Sequence, residues 1–193
     1  MESTGKYYVP VFNMLEDSIN VIVANPKWVR AVKGNKDDTS NSKWIGDLFR
    51  LGLVPGSFIP DKDTRILREF TRYRFKLVSC KSSEKNRYQN VFTVCNVALD
   101  AVVSDMFGKS ALSITEYILN SDAFDPKHCA SLLHKSLKKK ADEVIDSVEG
   151  FQMAYAQKIR ARLVLQHYDF LVGHIQQIDA EIDRLAVPFE NTI

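Results

Sequence analysis

The sequence predicts a mixed α/β segment followed by a mostly α, coiled-coil helical arm, and three observations predict it. Four of the six prolines and five of the eight glycines fall in residues 1–60, whereas 61–187 holds only Gly108, Gly150, Gly173 and Pro126. Two long stretches of that poorer region repeat apolar residues at heptad spacing. The one short β-branched run, Val21-Ile22-Val23-Ala24, lies near the N-terminus and stops at Asn25-Pro26.

Taken in order, Tyr7 to Asp17 has helical apolar spacing, with Pro10 tolerable in the first turn. Asn20–Asn25 reads as a buried strand. A polar stretch over 34–42 follows, and then a helix with Trp44, Ile45, Leu48, Phe49 and Leu51 on one face. One strand cannot be a whole sheet, so this is a piece of an α/β unit. Gly52 to Pro60 is a connector. Ile66, Phe70, Tyr73, Leu77 and Cys80 then recur at spacings of 4, 3, 4 and 3, which predicts a helix over about 63–96. Shorter helices are expected over 98–107, 110–119, 128–137 and 140–148. Val164, Tyr168, Leu171, Ile175, Ile178, Ile182 and Leu185 form the seam of a second rod over 151–187, about 55 Å long. The two rods are expected to pair antiparallel, with the short helices at the far end. The domains are accordingly 1–60 and 61–193.

The 193 residues are 45% hydrophobic and 26% charged, the balance of a globular chain rather than a disordered or collagenous one. The longest apolar runs are far short of the roughly 20 residues of a membrane span, and no basic or apolar leader follows Met1. No membrane partner is expected. Cys80, Cys95 and Cys129 are odd in number and lack a Cys-x-x-Cys pair, which fits a reducing cytoplasm better than a disulfide or zinc framework. Gly108-Lys109-Ser110 is no phosphate loop, because Val103 stands where the first glycine is needed. The four histidines make no His-x-x-x-His pair.

The net charge of +2 hides a local excess. Residues 62–90 hold nine Lys or Arg against three acids, the electrostatic footprint of a polyanion-binding surface. Arg65, Arg68, Arg72, Arg74, Lys76, Lys85 and Arg87 lie among Tyr73, Phe75 and Tyr88. Guanidinium groups beside aromatics suit phosphates and unpaired bases, although a solvated helix face is the plainer reading of such a run.

Glu2, Asp37, Asp38 and Asn41 are the candidate chemical set. An acid on a would-be strand and acids opening a helix about 36 residues later could hold Mg²⁺ for phosphodiester chemistry. By spacing alone, Asp37 and Asp38 equally well cap that helix. The order of short motifs adds to this. Glu2-Ser3-Thr4-Gly5, Val23-Ala24-Asn25-Pro26, Gly34-Asn35-Lys36-Asp37-Asp38, Trp44-Ile45-Gly46-Asp47, Gly56-Ser57-Phe58-Ile59-Pro60 and Arg68-Glu69-Phe70-Thr71-Arg72-Tyr73-Arg74 follow one another over 90 residues. In this the chain resembles the DEDD transposases of the insertion-sequence family guided by a bridge RNA, densely from 1 to about 110 and more loosely to 193.

The resemblance implies a RuvC-like (RNase H) α/β remnant with the helical coiled-coil arm inserted behind it, Mg²⁺ as cofactor of the intact family member with none expected to be stably bound here, and DNA and a guide (bridge) RNA as partners. The seam of the second rod is longer than that of the first, which predicts a homodimer or higher oligomer through the coiled coils, and a cytoplasmic, nucleoid-associated place in a prokaryote is expected. Glu2 falls on the family's second acid and Asp38 on its third, as catalytic and metal residues. Asn41 stands at the fourth, where an amide replaces the acid. The first acid belongs upstream of Met1 and the serine domain after Leu185-Ala186-Val187-Pro188, so a piece cut at both ends, inactive alone, is expected. The alternative is a non-catalytic nucleic-acid-binding or regulatory assembly module.

Overall fold

The computed structural model describes residues 1–3, 5–29, 38–121 and 123–192, which form two compact units, Met1–Thr64 and Arg65–Ile193.

In the first unit α1 (Tyr8–Leu15), α2 (Pro26–Val29) and α3 (Asp38–Arg50) surround three short extended stretches. Ser3 donates its N–H to Ala24 O at 2.9 Å, and the Ala24 N–H reaches Met1 O at 2.8 Å. Ser57 N–H donates to Val23 O at 2.7 Å from the other side. These contacts give one parallel bridge, Glu2 to Ala24, and one antiparallel bridge, Ala24 to Gly56. The strand expected over 20–25 is thus corrected: among the described residues it is a bridged extended segment, and no sheet forms. Three stretches that each pair over a residue or two bury too few side chains to propagate a ladder. Val23, Ala24 and Val29 are the buried apolar residues here, while Met14, Phe49, Leu51, Leu53 and Phe58 stay exposed. An open apolar hollow of about 370 Å³ lies between Met1, Leu15, Ile22, Ile45 and Phe49.

The second unit is helical. α4 (Lys62–Thr93) and α8 (Tyr155–Ala186) are its two long rods, each 32 residues or about 48 Å. Between them lie α5 (Lys109–Asn120), α6 (Pro126–Ser131), α7 (Ala141–Val148) and 3₁₀ turns at Leu99–Ala101 and Lys135–Lys140. The expected helix over 98–107 is only that first 3₁₀ turn. Asn96, at φ 60°, has already turned the chain out of α4, and Val97 N–H closes back on Phe92 O at 3.1 Å.

α4 and α8 run antiparallel. Arg74 meets Asp179, Leu77 packs with Leu171 and Ile175, and Glu84 meets His167, so one number falls as the other rises. The seam differs from the expected one on α4: Tyr73 and Cys80 are exposed, and burial instead follows Leu77, Glu84, Tyr88, Val91 and Phe92. Glu84 and Val91 keep the seven-residue step from Leu77, and the drift of a straight helix from a strict heptad brings Tyr88 inward in place of Arg87. At the far end the rods end in a dense head. Tyr88, Val91 and Phe92 of α4 meet Ile114 and Ile118 of α5, Cys129 and Leu133, Val144 and Val148 of α7, and Ala161 of α8. Polar ends are satisfied inside it. Arg162 of α8 donates to Leu119 O at 2.8 Å and to Asn120 Oδ1 at 3.0 Å, closing the C-terminus of α5, and Lys158 donates to Ser121 O at 2.9 Å.

Candidate nucleic-acid interface

α4 starts where it does because Asp61 caps it. One carboxylate oxygen accepts the Thr64 N–H at 2.8 Å and the other the Thr64 hydroxyl at 2.8 Å. These bonds favour the ionised carboxyl and hold it below its usual range, the backbone N–H contributing most. The helix then runs without glycine or proline, and its side chains divide into an inward row, two flanks and an outward row.

The seven expected cations do not all face outward. Arg74 donates from Nε and Nη2 to both oxygens of Asp179 on α8. The hydrogen bond, and then the charge, lower the Asp179 carboxyl below its ordinary range and raise the guanidinium. Lys85 donates to Asp105 at 3.2 Å and lies 5.0 Å over the Phe107 ring. Asp105 is held low, first by the Phe107 N–H and then by Lys85. Arg87 pairs with Glu84, a buried carboxylate that also meets His167 Nδ1 at 3.0 Å. A charge in that position needs both partners, because burial without them would be costly. Arg65 is half-buried and engaged within the protein.

Arg68, Arg72 and Lys76 remain. They are exposed and make no ion pair among the described residues. At 100° per residue, Arg68, Arg72 and Phe75 lie opposite Leu77, with Lys76 beside them. Phe75 is 75% exposed and Tyr73 50%. The structure thus sorts the run into cations that bind the arm together and an outward row of two guanidiniums, one ammonium and the Phe75 ring, with the half-exposed Tyr73 ring on the flank nearer Leu77. The signal that separates them, Asp105 and Asp179 on other elements, lies 20 and 105 residues from the lysine and arginine they neutralise.

The expected acids fare differently. Glu2 sits at its bridge, half-buried and engaged within the protein. Asp37 lies outside the described residues, and Asp38 is the first residue of α3. Asn41, one turn on, is exposed. Met1 lines the apolar hollow with Ser42 and Ile45 of α3, and neither Glu2 nor Asn41 does. Among the described residues no three metal-ligating side chains come together. The carboxylates Glu2 and Asp38 and the neutral Asn41 amide carry less negative charge than two Mg²⁺ ions carry positive charge.

A family model described as a transposase, of the IS110 DEDD type, matches residues 1–96. Over those residues the chain is similar to a transposase domain of that family. The match ends three residues past α4, so the outward row of Arg68, Arg72 and Lys76 lies within the matched region. No curated protein and no solved structure matches the chain. The match supports a role in DNA transposition and DNA as a partner. No described helix is long and apolar enough to cross a membrane.

Proposed function

We propose that this protein serves DNA transposition by holding nucleic acid on the outward row of α4, rather than by cutting it alone. The observation that carries the reading is the row itself: Arg68, Arg72 and Lys76 unpaired beside exposed Phe75 and half-exposed Tyr73, inside the region that the transposase family model matches. Arginine forks grip phosphates, and the rings offer faces to unpaired bases. A guide RNA with looped segments is the ligand that uses both. In this reading the first unit is the remnant of a RuvC-like sheet, and strand cleavage and exchange directed by a bridge RNA belong to the complete assembly. The paired rods bring copies of the chain together as a coiled coil, in a cytoplasmic, nucleoid-associated complex. Asn41 favours holding over cutting, since an amide stands where the acid of the resemblance would charge a metal site.

Fluorescence anisotropy with a hairpin RNA and a duplex DNA tests it. Three neutralised phosphates give the α4 row a share of about −2 in the slope of log K against log salt for a single strand. Arg68→Glu with Arg72→Glu is expected to weaken RNA binding by roughly tenfold or more, and to reduce that slope by about 1.4. Unchanged affinity would return the row to solvent. Nicking of supercoiled DNA in Mg²⁺ by the purified protein, lost in Glu2→Ala, would overturn the non-cutting part.

A further inference from the structure

A second basic surface sits on the head, away from the α4 row, and the sequence run that supplies most of it is as dense in cations as 62–90 but free of acids. Residues 126–141 hold five lysines, two histidines and no acid. At the chain's average of 24 acids in 193 residues, a stretch of 16 would contain about two. An ordinary solvated face mixes both signs, whereas a single-sign stretch makes a field.

The run is fixed to the core. Cys129 and Leu133 are fully buried, Leu137 packs against the same cluster, and the His134 N–H donates to the Ser110 hydroxyl at 2.9 Å. In the 3₁₀ turn Lys135–Lys140 residues three apart eclipse, so Lys140 follows Leu137 to the rim of a hollow of about 470 Å³, and Lys109 of α5 lines the same hollow. Lys109, Lys138, Lys139 and Lys140 are all exposed. Lys140 alone of these four has an acidic partner among the described residues, Glu143 at 3.6 Å. Asp105 lies in the hollow, so an anion belongs on the lysine rim and not inside.

We propose that Lys109, Lys138, Lys139 and Lys140 form a contact surface for the phosphodiester backbone of a nucleic-acid duplex. The ligand class follows from what accompanies the charge. Among the described residues no large exposed apolar residue lies between Val94 and Tyr155, so the run offers no wedge of the kind a membrane helix inserts, and the exposed His134 imidazole is the one ring at the hollow that Lys109 and Lys140 line. Compact ammonium charges without an arginine fork neutralise phosphates without reading sequence. The head thus suits a duplex and the α4 row a looped strand. This rests on the nucleic-acid reading above, but uses different residues.

The test measures the full chain against a duplex DNA, a duplex RNA and an unpaired RNA of equal length. Lys109→Gln with Lys138→Gln and Lys139→Gln is expected to weaken duplex binding by roughly tenfold, and to flatten the duplex salt slope by about 2.7, with the unpaired RNA changed far less. The tighter duplex identifies DNA or RNA as the source of the backbone. Duplex binding unchanged in this variant, or no duplex binding by the unaltered protein, overturns the head surface. Arg68→Glu with Arg72→Glu, run in parallel, fails or holds independently and reports on the α4 row alone. Acetylation of the unaltered protein, read by mass spectrometry, needs no variant. Bound duplex is expected to protect Lys138 and Lys139, and equal labelling with and without it overturns the proposal.

Discussion

The two units treat their apolar residues in opposite ways. The second buries Tyr88, Phe92, Ile114, Ile118, Leu133, Val144 and Val148 in one head, with the Tyr88 hydroxyl donating to Thr115 Oγ1 at 3.0 Å. The first buries Val23, Ala24 and Val29, and leaves Met14, Phe49, Leu51, Leu53 and Phe58 in water. Helices satisfy their own backbones, so five of them can close a core from side chains alone. Strands must find neighbours for their N–H and C=O groups, and stretches paired at single bridges present open edges and bare faces. The difference teaches that the stability of this chain resides in the arm, while the unit with the candidate acids depends on pairing that it completes only in part.

The comparison breaks most readily at Phe92. Phe92→Ala is expected to cost about 3–5 kcal/mol, from a cavity in the closed head, whereas Phe49→Ala in the first unit should stay within about 0.5 kcal/mol. Urea titration of both variants decides it, and equal losses would mean that the first unit is as well packed as the head. Ile175→Asp places an unpaired charge between α4 and α8 and should cost about 2–4 kcal/mol. A melting temperature like that of the unaltered protein would show that the stem needs no such seam. Tyr88→Phe keeps the ring and removes one buried hydrogen bond. About 1 kcal/mol is expected, because Thr115 retains its bond to Leu112 O at 3.0 Å.

The smallest effect sharpens the picture at the stem's surface. Asp179 is held below its ordinary value of 3.8 by Arg74, so folding is helped above that value, and the help is lost as pH falls through the lower folded value. Asp179→Asn should therefore lower stability slightly at neutral pH, where the pair is fully ionised, leave it unchanged below the folded value, and so flatten the acid end of the curve. Both partners are exposed, so added salt should shrink the difference. A mutant effect larger at pH 7 than the Tyr88→Phe effect would contradict this assignment.

Much of the arm was legible in the sequence. The repeat from Val164 to Leu185 and the scarcity of glycine and proline specify two rods, because a helix's period is written locally along its own chain. The turn at Asn96 was not, since a left-handed asparagine leaves no mark in hydrophobic periodicity. Nor was the lysine run of 126–141 singled out. It was masked by the acids Asp142 and Glu143 that follow and by the near-zero total.

Local sequence determined the two long rods and that 62–90 is basic, since periodicity and charge are written within a few residues of the chain. Only the tertiary structure decided which of those charges are available. Arg74, Lys85 and Arg87 look like Arg68, Arg72 and Lys76 along the chain, yet folding brings Asp179 and Asp105 to the first two, and sinks Glu84 beside the third. Electrostatic attraction falls off over ångströms of space, not residues of chain, so the free and the neutralised cation differ only after the rods have met.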